Sequence, residues 1–277
     1  MSVTSIAAGA ASPSAAAIGA LQVPLHQRKS VRIGLPLLLL ALGCLIWEGL
    51  SRSGLVNPIT LPPISAIVLA FVEMLGQGFF WEAVVVTLQE TLLGFVIGAS
   101  IGLVIGALTG TFSLFRVAVF PFIVAFQNTP RVALAPVFLT WFGFGMTSKV
   151  VMAAVICFFP VVINTVAGLA AVDQNGRLLY RTLGASTRQT FFKFTLPSAA
   201  PITFAGIKTA LTLALLGAIV AEFVGGSEGL GVLVKEFNFQ LRVDMAFAVI
   251  LVLASIGLLL YGLIEIVERK LIFWVKR

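Results

Sequence analysis

Apolar runs of membrane-crossing length alternate with short polar breaks along this chain. About 20 consecutive apolar residues are enough to cross a bilayer as a helix. The pattern predicts six such helices, over 33–50, 84–110, 115–140, 149–171, 201–224 and 245–267. The first two are joined by a different kind of segment. Pro62, Pro63 and Ser65 open a short helix there, and Ile64, Ile67, Val68, Phe71, Val72 and Leu75 recur at i, i+3, i+4 spacing. That spacing puts the apolar side chains on one face, as in a helix lying along a membrane or on a bundle. The chain reads as an all-α, polytopic membrane protein with six transmembrane helices.

Two of the runs are not plain. The second carries Gly94, Gly98, Gly102, Gly106 and Gly110, one every four residues. This makes a ridge without side chains along which another backbone can approach closely, either inside the subunit or between subunits. The third contains Pro121, Pro130 and Pro136, with Gln127, Asn128, Thr129 and Arg131 around the middle proline. A proline frees the carbonyl one turn earlier, and in lipid such a break must face protein or a water-filled cavity. An arginine at this depth is a candidate functional group by default. The bland alternative is an internal strut, Arg131 paired with Glu90 or Glu222. Asn164 and Glu222, on the fourth and fifth helices, are further polar candidates for a translocation path.

Composition supports the membrane reading. Of 277 residues, 59% are hydrophobic and only 10% charged, against roughly 25% charged in soluble domains. The net charge of +7 suits the positive-inside bias of membrane proteins better than a nucleic-acid partner. With the N-terminus inside, the inner flanks hold Arg28, Lys29, Arg32, Arg116, Arg177, Arg181, Arg188, Lys193, Arg269, Lys270, Lys276 and Arg277. The outer ones hold Arg52, Lys149, Lys235 and Arg242. Twelve against four places both termini and the segment 173–200 in the cytoplasm. Residues 1–30, rich in Ala, Ser and Gly, read as a disordered cytoplasmic tail ahead of a membrane domain over 31–277. Cys44 and Cys157 sit singly in apolar runs, and His26 is the only histidine. No disulfide and no metal site is expected from such a set.

The segment 173–200 is unusually long and basic for a loop between membrane helices. Asp173 can cap a helix that runs to Leu183, and Gly184 suits the left-handed position after it. Ser186-Thr187-Arg188-Gln189 is a capping-box pattern that starts a second helix, which Phe191, Phe192 and Phe194 make apolar. Pro197 should stop it and push Leu196 toward an extended conformation. Two short helices with a fixed bend read as a contact surface for another protein, or as an interfacial pair with its phenylalanines in the headgroups.

Gly184, nine residues, then Phe194-Thr195-Leu196-Pro197 resembles the cytoplasmic loop of ABC-importer permease subunits. The family's Glu-Ala-Ala opening falls on Leu178, Leu179 and Tyr180, where it is absent. Leu183-Gly184-Ala185-Ser186, Pro130 to Pro136, Trp141 to Gly145, Phe159 to Thr165, Ala221-Glu222-Phe223 and Gly229-Leu230-Gly231 are similar to the nitrate/sulfonate/taurine branch, and the likeness runs from about Leu61 to Gly231. It implies a type I importer permease fold whose coupling helices dock on an ATPase subunit. Arg181, Gly184, Ala185, Ser186, Leu196 and Pro197 would carry the coupling. Gln127, Asn128, Arg131, Asn164 and Glu222 would line the path.

The resemblance also implies partners: a second permease subunit, two ATPase subunits holding ATP and Mg, and an extracytoplasmic solute-binding protein, all at the bacterial inner membrane. The solute implied is a small one, such as nitrate, a sulfonate, taurine or an aromatic carboxylate. The chain has no Gly-x-x-x-x-Gly-Lys-Ser/Thr loop; Gly206-Ile207-Lys208-Thr209 is the nearest fragment, and Lys208 is expected to snorkel to the interface. No catalytic constellation and no cofactor site is expected in this chain. Rival classes are the membrane component of a vitamin-type energy-coupling transporter, which would show two Ala-Arg-Gly motifs, and an ATP-independent secondary transporter, which would show an inverted repeat.

Overall fold

The computed structural model describes residues 29–57 and 59–274. The expected tail at 1–30 lies outside them, apart from its last two residues, which already belong to the first helix. The protein divides into two compact units, one ending at Ser65 and the other starting at Ala66.

The first unit is dominated by α1 (Lys29–Arg52). The chain beyond it folds back on the helix end. Ser51 Oγ donates to the Leu61 carbonyl (2.7 Å) and Trp47 Nε1 to that of Pro62 (3.0 Å). Glu48 accepts from Ser65 Oγ (2.8 Å) and pairs with Arg52 (2.6 Å).

The remaining helices are α2 (Ile64–Leu75), α3 (Gly78–Thr111), α4 (Ser113–Gln127), α5 (Ala135–Phe142) and α6 (Met146–Ala170). They are followed by α7 (Gln174–Thr182), α8 (Thr187–Thr190), α9 (Leu196–Gly225), α10 (Leu230–Phe239) and α11 (Val243–Leu271). Among the described residues, five helices are long and apolar enough to cross a membrane. The pair formed by α4 and residues 131–142, bent by 89° at the break before Arg131, makes a sixth if it counts as one span. The interruption expected around Pro130 in the third run is present, and it turns the chain sharply. Asn128 closes α4, and residues Arg131–Leu134 form a 3₁₀ turn before α5 begins.

Helix α6 packs against both α3 and α9, and these three form the core of the second unit. Small side chains let them meet closely. Ala99, Ala153, Cys157, Ala210, Ala214 and Ala218 are buried together. The glycine ridge of α3 lies against α6 throughout. A Cβ at Gly102 would stand 2.9 Å from Val161, and one at Gly106 2.7 Å from Thr165. From α9, Gly217 rests on Ala153 and Gly206 on Asn164. On the side of α9 away from α6, Lys208 pairs with Glu268 of α11 and lies 5.7 Å from the centre of the Tyr261 ring. It is thus an interhelical ion pair, where simple snorkelling was expected.

Two elements depart from the sequence pattern. Pro197 does not stop a helix. Residues 187–225 run on as one, through a π turn over Phe191–Thr195, and Leu196 is helical at φ −65°, ψ −47°. The π turn lets Leu196 N–H reach the Phe191 carbonyl. Pro197 then stands in the first turn of the following helix, where a missing N–H costs nothing. The second departure is α10, an unforeseen helix between the fifth and sixth crossings, buried through Leu230, Val232, Val234 and Phe237.

Candidate functional site

The loop between α6 and α9 is built as a rigid bracket. The Asp173 carboxylate accepts from the N–H groups of Asn175 (3.1 Å) and Gly176 (3.0 Å), which caps α7. At the other end, Gly184 has φ +81°. Its N–H donates to the Arg181 carbonyl, and Ala185 N–H to that of Tyr180, both at 3.0 Å. This crossed pair is a Schellman cap, and the positive φ it needs is what glycine supplies at least cost. Ser186 starts α8 with a reciprocal box. Gln189 N–H donates to Ser186 Oγ (3.2 Å), and Ser186 N–H donates to Gln189 Oε1 (2.8 Å).

The two arms of the bracket are tied together. The Tyr180 ring stacks on Phe194 at 5.1 Å, and Gly176 gives the Phe194 ring room. Arg177 Nη2 donates to the Leu169 carbonyl (2.7 Å), closing the end of α6. Among the polar residues of its surface the bracket presents an apolar patch: Leu178, Leu179 and Leu183 are exposed, Leu183 by 75%. Arg181, Ser186 and Leu196 are also exposed, whereas Ala185 and Pro197 are half-buried.

The polar residues of the expected path do not form one site. Gln127 and Asn128 are exposed at the end of α4, and Asn128 Nδ2 donates to the Val124 carbonyl (3.1 Å). Arg131 is half-buried against α6. Its Nη1 donates to the Ile156 carbonyl (3.3 Å), and its guanidinium lies 5.2 Å from the centre of the Phe159 ring. That carbonyl is the one Pro160 cannot serve, because proline has no N–H for the residue four positions back. Asn164 sits one turn further along α6, with Nδ2 donating to the Pro160 carbonyl (2.9 Å), at the contact with α9.

Glu222 stands apart from these, fully buried near the end of α9. Thr87 Oγ1 donates to its Oε1 (2.7 Å), and Gly231 N–H donates to its Oε2. Leu230 N–H in turn donates to Thr87 Oγ1 (2.8 Å). Glu90 and Lys149 complete the cluster. Lys149 Nζ lies 3.4 Å from Glu90 Oε1 and is itself buried. Glu90 and Glu222 are near enough to interact directly. Lys149 therefore occupies the strut position considered for Arg131, and no ion pair to Arg131 forms among the described residues.

The cluster joins α3, α6, α9 and the start of α10. Gly229, at φ +116°, and Gly231 leave the space that the Glu222 carboxylate fills. Sequence reasoning missed Thr87 and the place of Lys149. The available signal was a lone lysine and a lone glutamate, each in an otherwise apolar run, with a Gly-Leu-Gly turn soon after a second glutamate.

Known proteins carry the same architecture. A chain of a structure described as inward-facing conformations of the MetNI methionine ABC transporter aligns with 78% of this chain and 99% of its own, at TM-score 0.53 and 19% identity, which shows the fold alone. The putative aliphatic sulfonates transport permease protein SsuC of Bacillus subtilis (strain 168) is 34% identical over 238 residues, 86% of each chain. The riboflavin transport system permease protein RibX of Chloroflexus aurantiacus (strain ATCC 29366 / DSM 635 / J-10-fl) is 35% identical over 244 residues, 87% of this chain and 90% of its own. The family model described as binding-protein-dependent transport system inner membrane component matches residues 94–273. With its membrane-crossing helices, its bracketed loop and this match over most of its length, the chain belongs to the family of binding-protein-dependent transport system inner membrane components.

Proposed function

We propose that the α7–α8 bracket is the seat of an ATPase subunit, and that this chain pairs with a second permease subunit over two such ATPases. The observation that carries the reading is the exposed apolar tip, Leu178, Leu179 and Leu183, on a loop whose every turn is capped. An apolar patch held rigidly outside the helical core is what a protein interface needs. ATP and Mg belong to the partner subunits, and a solute-binding protein delivers solute to the opposite face. Both termini and the bracket lie on the cytoplasmic side, in keeping with the distribution of Lys and Arg.

Nucleotide binding closes the ATPase dimer, and the bracket passes that movement to α6 and α9. Gly184, Ser186 and the Tyr180–Phe194 stack keep it from being absorbed in the loop. Binding shifts the two access states only by its differential affinity for them. Arg181, Ala185, Leu196 and Pro197 belong to the same bracket. The solute is a small anion of the sulfonate or carboxylate kind, passing the break at Gln127, Asn128 and Arg131. Only one N–H of the Arg131 guanidinium is used by a hydrogen bond among the described residues. SsuC is named for aliphatic sulfonates, which fits that charge.

The test is transport by the full chain reconstituted with its ATPase and binding protein in liposomes. Gly184→Val should leave the complex ATP-hydrolysing while transport falls at least tenfold, because a β-branched residue resists positive φ. Leu183→Glu should release the ATPase from the membrane fraction. Transport that persists without the ATPase would overturn the reading.

A further inference from the structure

The last turns of α3 and the loop bracket line an open cavity of about 740 Å³. One wall is apolar, formed by Val104, Leu108 and Phe112 at the end of α3. It continues the exposed row Ile97, Ile101 and Val104 along that membrane-crossing helix, with Val104 60% exposed. The facing wall is cationic. Arg177, Arg181 and Arg188 all line the cavity, and none of them forms an ion pair among the described residues. Arg177 spends one N–H on Leu169, while its Nε is buried without an acceptor. Arg188 lies 6.0 Å from the centre of the Phe192 ring, which also lines the cavity.

A helix C-terminus ordinarily repels an anion, because its last carbonyls carry partial negative charge. Here Arg116 covers them. Its Nη2 donates to the Gly110 carbonyl (3.1 Å) and its Nε to that of Thr109 (3.4 Å). The end of α3 is thereby made compatible with negative charge.

We propose that this cavity binds the headgroup of an anionic phospholipid, with the phosphate diester held by Arg177, Arg181 and Arg188 and the first acyl methylenes on Val104, Leu108 and Phe112. Guanidinium forks match phosphate oxygens in geometry and charge. Three unpaired cations around one cavity also repel one another until an anion enters. The apolar wall decides between kinds of anion. A small soluble ion gains nothing from Val104 and Leu108, whereas a lipid entering sideways keeps its chains on the exposed row of α3. Basic pockets at the ends of membrane helices are suited to this class of ligand. The proposal rests on the membrane crossing of α3 and shares Arg181 with the proposed ATPase seat, so it is tested on the chain without an ATPase.

The experiment uses the full chain in nanodiscs of equal phosphatidylglycerol and phosphatidylcholine, followed by native mass spectrometry of the lipids retained. The wild type should retain phosphatidylglycerol preferentially. Enrichment should fall by about fivefold for each arginine removed in Arg181→Gln and then in the triple Arg177→Gln, Arg181→Gln, Arg188→Gln. The triple lysine variant keeps the charge and should keep most of the enrichment, which also shows that the loop survives substitution. Arg269→Gln with Lys270→Gln removes charge elsewhere and should change nothing. Equal retention of the two lipids by the wild type would overturn the proposal, as would undiminished enrichment in the glutamine variants. Displacement of the lipid by millimolar inorganic phosphate would mark a free-anion site and overturn it too. Loss of a bound acidic protein from the glutamine variants, with phosphatidylglycerol still retained, would make the cavity a protein seat and likewise overturn it.

Discussion

Pro160 has no N–H to offer the carbonyl of Ile156, and Arg131 donates to that carbonyl at 3.3 Å from across the helix break. Arg131 thus has a structural duty that no charge partner explains. Ile156 is buried, so Arg131→Met leaves an acceptor unpaired, and the protein should lose about 1–3 kcal/mol. Adding Pro160→Ala restores an N–H at position 160, and the double variant should recover most of the melting temperature in detergent. Transport separates the two roles of Arg131. A guanidinium that also meets the solute predicts that the double variant is stable yet transports poorly. Recovery of both would reduce Arg131 to a strut. Lys149 is the opposite case, a cation whose partners are acidic and fully buried. Removing one partner of a buried ion pair typically costs about 3–5 kcal/mol, so Lys149→Met should lower stability by that order. Glu90→Gln in the same chain removes the stranded charge and should return part of it, measured by the same melting assay.

Helix α3 meets α6 through its glycines, and the local space predicts which substitutions matter. A Cβ at Gly102 would stand 2.9 Å from both Val161 and the Phe158 carbonyl, so Gly102→Ala should force the helices apart and lower the yield of folded protein. Gly262 in α11 has nothing within 4 Å of the same position. Gly262→Ala should instead be neutral or stabilise by about 0.5–1 kcal/mol through helix propensity alone. Size-exclusion profiles and melting curves of the two variants would check the contrast. The four-residue spacing of these glycines was legible in the sequence, because close packing leaves that mark on one helix alone. The caps of α7 and α8 were legible for the same reason: Asp173, Gly184, Ser186 and Gln189 act on their own neighbours. Pro197 misled because a proline after leucine reads as a stop. Only the π turn before it, a three-dimensional choice, shows that the helix runs on. Helix α10 left little trace either. It is short, and what fixes its start is Glu222, a residue from the preceding helix that receives the Gly231 N–H.

For the molecule as a whole, direction is a matter of charge, since helices and loops are the same seen from either side of the membrane. The orientation proposed from the Lys and Arg distribution has the bracket inside and α10 outside. Expectations drawn from distant partners also belong to this scale. The Glu222 cluster and the Arg131 break were both expected to line one path, because a linear sequence cannot tell which polar groups on different helices share a side. The structure separates them, with Glu222 closed off among Thr87, Glu90 and Lys149. Direction can be read chemically. Cys157 is buried, and Cys44, which is exposed, is changed to serine for the assay. In that background, Leu183→Cys places a thiol on the exposed tip of the bracket, and Glu236→Cys places one on the exposed side of α10. A membrane-impermeant maleimide should label the Glu236 position in intact cells and the Leu183 position only in inverted vesicles. Labelling of the Leu183 position from outside would reverse the orientation and remove the bracket from any ATPase in the cytoplasm. Bound ATPase should in addition protect the Leu183 thiol in inverted vesicles, and stripping the ATPase from the membranes should expose it again.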